Sequence, residues 1–368
     1  MRPKLVMFRH RLYDYEDVRA RARARLPWMI FDYIDGAAGQ GRGVATNRAA
    51  LNAFPLHPRA LVDVSVRDLS VQVLGQTATI PFGVSPMGMC NLAHPDADRA
   101  YADLAATTGA PVGLSTFSST DMETMLDWSA GKAWFQLYFS GDGSHTMALA
   151  ARARDVGYQT LIITLDVPEV GHRPRELRHG FKMPFQMGLP QIIDFACHPR
   201  WSLTTLARGA PKLANFAKPG YAFDRTESRA AADWSFFKRL RDLWPGRLVA
   251  KGVTHVDDAQ ALFDAGADAL QISSHGSRQL EGGIAPFTAL QNIRAALGPN
   301  KPLFYDSGIQ SGEDIVRAYL AGADFVFLGR YMQYAAAAGG KHSVQATSDF
   351  LKKQISNTMA QLGKRSLQ

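Results

Sequence analysis

Four stretches of the chain repeat one pattern: a helical run, a glycine, then a short apolar run that ends in polar residues. They are LAATTGAPVGLS at 104–115, ARDVGYQTLIIT at 153–164, LFDAGADALQIS at 262–273 and AYLAGADFVFLG at 318–329. A glycine at that place suits the residue after a helix, where the backbone takes positive φ. The apolar run behind it is too short for a helix and rich in strand formers. Each unit therefore reads as a helix feeding a strand buried on both faces, as in a parallel sheet. Filling the gaps gives eight strands, near 80–85, 111–115, 133–138, 160–166, 247–252, 268–273, 302–306 and 324–329. Eight such units predict an α/β fold, a closed (β/α)8 barrel of the TIM type. An open doubly wound sheet is the alternative. It would carry a glycine-rich phosphate turn after its first strand, and GVSPMGM at that place is no such turn.

Two segments fall outside the repeat. Residues 1–79 read as a helical N-terminal extension with a hairpin in LSVQVLGQTAT, and residues 174–246 exceed one crossover helix by several tens of residues, so they form an insertion between strands four and five. The barrel proper then covers 80–173 and 247–340, and 341–368 is a C-terminal helix. The 368 residues, 46% of them hydrophobic, suit one domain with a large core. The formal net charge is +8, and VRARARARLPW at 18–28 concentrates basic residues. That run suits an anionic substrate, a phosphate-bearing cofactor or an anionic membrane face, or else the solvated side of an N-terminal helix. No nucleic-acid recognition motif is present. Two cysteines, Cys90 and Cys197, make neither a disulfide framework nor a metal site, which fits a reducing cytoplasmic compartment. The N-terminus has no apolar core of signal-peptide length, and no run of 18 apolar residues suits a membrane span.

Chemistry in such a barrel sits at the C-terminal ends of the strands. Those ends carry Ser85, Ser115, Gln136 with Tyr138, Thr164 with Asp166, Lys251, Ser273 with His275, Asp306, and Gly329 with Arg330. Any one of them can be a satisfied rim residue; all eight ends being polar points to a site. Period-two spacing puts each pair on one face of its strand, toward the mouth. His275 is the natural proton acceptor near neutral pH, with Asp166 to hold its imidazole. Arg278, and Arg173 in VGHRPRE, offer forks for a carboxylate, or are loop surface. Lys251 needs an anionic partner, and a lysine there also suits a Schiff-base enzyme, a non-redox isomerase or aldolase. YDSGIQSGED and FLGRY read as a phosphate site that would suit FMN.

In order along the chain, LPWMIFDYIDGAA, PRALVDVS, AHPDAD, WFQLY, TLDVP, AKGV, SSHGSRQL, DSGI and FLGR resemble the FMN-dependent L-2-hydroxy acid oxidases and dehydrogenases. The resemblance spans nearly the whole chain, and SSHGSRQL is its most specific element. It implies oxidation of an L-2-hydroxy acid to the 2-oxo acid, with FMN reoxidised by O2 or by a quinone or other carrier. It implies His275 as base, Asp166 as its partner, Arg173 and Arg278 on the substrate carboxylate, and Tyr33 and Tyr138 against the substrate. For the flavin it implies Pro86, Met87 and Gly88 along the ring, with Lys251, Ser115, Gln136, Thr164 and Ser273 as polar contacts. Asp306, Gly308, Gly329 and Arg330 take the ribityl chain and phosphate. A homo-oligomer, a tetramer, is implied as well.

The chain departs from the family pattern in places. Gln310 stands where an arginine commonly meets the FMN phosphate, Met87 where a small residue is usual, and Phe117 where a tryptophan narrows the glycolate-specific pockets. A substrate larger than glycolate is therefore expected. The insertion mixes Phe185, Met187, Ile192, Ile193, Phe195 and Trp201 with cations. It reads either as a lid or subunit contact, or as peripheral contact with the inner face of the membrane, where the acceptor would be a quinone.

Overall fold

The computed structural model describes residues 12–181, 188–218, 221 and 228–368. Eight parallel strands close into a barrel: Phe82–Met87, Val112–Ser115, Ala133–Tyr138, Thr160–Thr164, Arg247–Lys251, Ala269–Ile272, Leu303–Tyr305 and Phe325–Leu328. The eighth pairs with the first through Leu328 and Val84, which seals the ring. The glycines that end the four repeated helices all take positive φ, 106° at both Gly157 and Gly322. There each lets the chain turn from helix to strand without a Cβ clash.

Facing side chains fill the barrel in layers. Deep inside, Trp134 packs on Phe304 and Phe327 from across the ring, with centroids 5.8 and 5.4 Å apart. One step along the same strand faces the interior turns polar, with Gln136, Lys251, Gln271 and Asp306 all buried. This change, from aromatic floor to polar upper layer, sets which end of the barrel carries chemistry.

The N-terminal extension folds over that end. Its helices are Tyr15–Arg25, Trp28–Asp35 and Arg42–Asn52, and Val71–Val73 pairs with Gln76–Ala78 as an antiparallel hairpin. The basic run is the first of these helices. Asp14 caps it through the Asp17 N–H at 2.8 Å, and Glu16 and Asp17 begin it while Arg23 and Arg25 end it, in accord with the helix dipole. Arg19 reaches Asp35 at 2.8 Å. The helix Arg330–Gln361 is broken at Gly339–Gly340 and packs on the first helix. Between strands four and five the described residues form the helices Pro174–Arg178, Leu189–Cys197, Pro199–Arg208 and Trp234–Leu243.

Two of the shifted strand ends bear on the site. The sixth strand stops at Ile272 and the fourth at Thr164, so His275 and Asp166 lie beyond their strands rather than on a strand face. The physical reason at His275 is a left-handed bend: φ is 55° at His275, 64° at Gly276 and 61° at Ser277, which no ladder can follow.

Candidate active site

A cavity of about 310 Å³ opens at the C-terminal end of the barrel. His275 projects into it from the bend, a conformation that costs a non-glycine residue energy and persists only when neighbours enforce it. Ser273 Oγ accepts the His275 N–H at 3.0 Å, and Ser307 Oγ accepts the Gly276 N–H at 3.1 Å. Asn47, from the N-terminal extension, donates to the hydroxyls of Ser274 and Ser277, both at 2.9 Å.

His275 Nδ1 lies 3.3 Å from Asp166 Oδ1. Burial resists ionisation of Asp166, but His275 and Lys251 outweigh it and hold the carboxyl below its ordinary range. An ionised Asp166 can only accept, so the proton of a neutral His275 sits on Nδ1 and the lone pair is on Nε2. Burial pushes His275 below the usual histidine value, with Asp166 working in the opposite direction. The imidazole is thus neutral near pH 7 and able to take a proton.

Arg173 and Arg278 meet beside it. Arg173 Nε donates to the Arg278 carbonyl at 3.0 Å. Arg278 donates to the carbonyls of Tyr33 and Gly36 at 2.8 and 3.0 Å, and to Glu176 at 2.7 Å. Glu176 also lies 3.7 Å from Arg173. One carboxylate thus faces two guanidinium groups, leaving a positive balance that suits an anion. Burial, and then Arg278, lower the Arg173 pKa. Tyr33 and Tyr138 complete the wall, their hydroxyls pushed up to about 12 by burial and therefore protonated donors.

Below the mouth, Lys251 donates to Ser273 at 2.9 Å and stands 3.5 Å from Asp306, the anionic partner it requires. Asp306 Oδ2 also accepts from Gln271 at 2.6 Å and from Ser85 at 3.0 Å. Gln136 donates to Thr164 at 2.8 Å. Fifteen of the nineteen candidate residues line the cavity: Tyr33, Pro86, Met87, Gly88, Ser115, Tyr138, Arg173, Lys251, His275, Arg278, Asp306, Gly308, Gln310, Gly329 and Arg330. Asp166, Gln136, Thr164 and Ser273 do not line it; Asp166 and Ser273 hold His275, and Ser273 also accepts from Lys251. The sequence reading passed over Glu176, Arg48 and Arg229. The first was legible as the residue one helical turn after Arg173; the other two stand outside the barrel repeat, in the N-terminal extension and the insertion.

The far end of the cavity is built for an anion. Gly308 and Gly329 lie there with Arg48 and Arg330. Arg48 donates to Gly308 O at 2.8 Å and to Asp314 at 2.6 Å. Arg330 opens a helix and gives Nε and Nη2 to the carbonyls of Ile34, Gly36 and Gly276. Its Nη1 has no partner among the described residues, nor has the buried hydroxyl of Tyr331 in the same wall.

Comparison with known proteins meets this geometry. The model of the FMN-dependent dehydrogenase family matches residues 22–368. The chain belongs to the FMN-dependent 2-hydroxy acid oxidases and dehydrogenases. It is 37% identical to (S)-mandelate dehydrogenase of Pseudomonas putida, covering 96% of this chain and 91% of that one. It is 34% identical to L-lactate oxidase of Nostoc sp., covering 97% and 95%. The crystal structure of the monotopic membrane protein (S)-mandelate dehydrogenase superposes with a TM-score of 0.92 at 36% identity, covering 97% of this chain and 96% of that one. As a member of this FMN-dependent family the protein is an oxidoreductase acting on CH–OH groups, and its cofactor is FMN. The unpartnered donors at the phosphate-like end and the buried cation Lys251 suit that cofactor chemically.

Proposed function

We propose that this enzyme oxidises an L-2-hydroxy acid to the 2-oxo acid, with His275 as the base. The observation that carries the assignment is His275, held by Asp166 at 3.3 Å, standing beside the Arg173–Arg278 pair in one cavity. FMN supplies the two-electron acceptor. Arg173 and Arg278 hold the substrate carboxylate, and Tyr33 and Tyr138 donate to its oxygens, so that C2 is fixed before reaction. His275 Nε2 takes a proton, and Asp166 stabilises the imidazolium that forms. Pro86, Met87 and Gly88 would run along the flavin ring, with Ser115 and Lys251 beside it and Gln136, Thr164 and Ser273 behind. Asp306, Gly308, Gln310, Gly329 and Arg330 would hold the ribityl chain and phosphate. Lys251, paired to Asp306 at 3.5 Å, would set a cation beside the flavin ring.

We further infer that the acceptor is a membrane quinone. The exposed Leu189, Ile192, Ile193, Leu203 and Leu206 lie on two consecutive helices of the insertion, with Arg178, Arg200, Arg208 and Lys212 exposed near them. Apolar side chains beside cations suit the interface of an anionic bilayer. Phe185 and Met187 lie outside the described residues, and Trp201 is buried, its Nε1 donating to Leu92 O at 2.7 Å. Among the described residues no helix is long and apolar enough to cross a membrane. Anaerobic mixing of the yellow holoenzyme with L-lactate or (S)-mandelate tests the reaction: bleaching of the flavin and release of the 2-oxo acid are expected. A flavin that stays oxidised with every L-2-hydroxy acid would overturn the assignment.

A further inference from the structure

Arg229 is a cation of the cavity wall that the reaction above does not use. It comes from the insertion, ahead of the helix Trp234–Leu243. Its guanidinium carbon lies over two ring faces, 5.0 Å from the Tyr138 centroid and 5.4 Å from that of Phe117. Those rings stack on each other at 5.3 Å, within 25° of parallel. Two aromatic faces thus fix the plane of the fork without occupying its N–H groups. Arg48, Arg173, Arg278 and Lys251 each face a carboxylate of the protein, on Asp314, Glu176, Glu176 and Asp306. Arg229 has no ion pair or hydrogen bond among the described residues.

Tyr138 links this cation to the reaction. Its ring lies 6.4 Å from that of His275 and carries Arg229 on its face. In a substrate seated with its C1 carboxylate on Arg173 and Arg278, and its C2 at His275, a side chain directed along the Tyr138 wall would meet Arg229. A carbon chain needs no guanidinium there, and the half-buried Arg229 fork meets no acceptor among the described residues. We propose that Arg229 binds a second carboxylate at the far end of the substrate, so that the preferred substrate class is the L-2-hydroxy dicarboxylates. The inference rests on the 2-hydroxy acid reading of the same site and names its specificity.

The test compares matched pairs on the holoenzyme: L-2-hydroxyglutarate against L-2-hydroxypentanoate, with L-malate and (S)-mandelate for length and aromaticity. A charge-assisted contact of this kind is worth about 10- to 100-fold. The kcat/KM for the five-carbon diacid is expected to exceed that of its neutral partner by about that factor. In Arg229→Met the ratio should collapse toward one, and in Arg229→Lys it should recover in part. Binding of 2-oxoglutarate and 2-oxopentanoate, read from the perturbed flavin absorbance, should show the same ratio without turnover and reports that each variant holds FMN. Equal kcat/KM for the two acids, or an Arg229→Met variant that loses both alike, would overturn the proposal and make Arg229 a wall residue. A loss confined to (S)-mandelate would overturn it in favour of a ring stacked on the guanidinium. If the neutral acids react and the diacid gains nothing, only this inference fails. If no 2-hydroxy acid reacts, the reading beneath it fails and takes the proposal with it.

Discussion

His275 reaches the cavity through a backbone bend that few residue types accept, and its chemistry can be tested apart from its geometry. Replacing it by alanine should lower the rate of flavin reduction about 10²–10⁴-fold, with FMN retained, as measured by anaerobic stopped flow. The base works unprotonated, so activity should fall as pH drops through its folded pKa. Burial sets that pKa below the ordinary histidine value, so kcat/KM should stay flat through neutrality and decline only on the acid side. Asp166→Asn removes the anion that raises it. The flat region should then extend further into acid while its plateau falls, because the imidazolium loses its partner. Gln310 offers the cofactor phosphate an uncharged side-chain amide, while its backbone N–H is committed to Asp314 at 2.9 Å. Gln310→Arg should slow FMN loss on dialysis; unchanged loss would mean that Arg330 and Arg48 already supply the cations. The residue types of this site were legible because acid, base and fork chemistry each restrict the choice to a few side chains. The bend at His275 was not, since a serine–histidine–glycine run continues a strand as readily as it leaves one.

At the scale of elements, the helix–glycine–strand repeat made all eight barrel strands legible to within two or three residues. The first strand runs to Met87 because its register shifts between Val84 and Met87, and a shift of that kind leaves no mark in a hydrophobic pattern. The insertion was legible only as an excess of length. Two of its helices are tied down by side chains: Asp194 accepts the Trp28 N–H at 2.8 Å, and the Phe195 and Trp201 rings meet at 5.1 Å. What they leave outward is the apolar face argued above to meet lipid. Intact protein should float with anionic vesicles, and the double variant Ile192→Glu, Ile193→Glu should remain at the bottom while still bleaching with substrate. Intact protein that never floats would make this face a contact between subunits.

Across the whole molecule, the N-terminal extension meets the helix Arg330–Gln361 beside the cavity. Asp35 gathers Arg19, Arg175 and the Tyr334 hydroxyl, the last at 2.6 Å. Burial alone would raise its pKa, but these partners hold it well below the carboxylate range. A depressed folded pKa contributes stability above the unfolded value, near 4, and loses it as pH falls. Asp35→Asn should therefore destabilise the fold at pH 7 by on the order of 3 kcal/mol, with the difference shrinking in acid, as followed by thermal melting. Arg330 binds the Gly36 carbonyl across 294 positions of sequence, and Arg278 binds the same carbonyl across 242. Such contacts carry a large loop-closure entropy, so they form after the local helices and neighbouring strands. On a ribosome releasing the chain from its N-terminus, the flavin pocket cannot exist until residue 330 has emerged and swung back onto residues 34–36. Capture of the cofactor is then the closing event of assembly, and in refolding the quenching of added FMN should lag the recovery of helical circular dichroism.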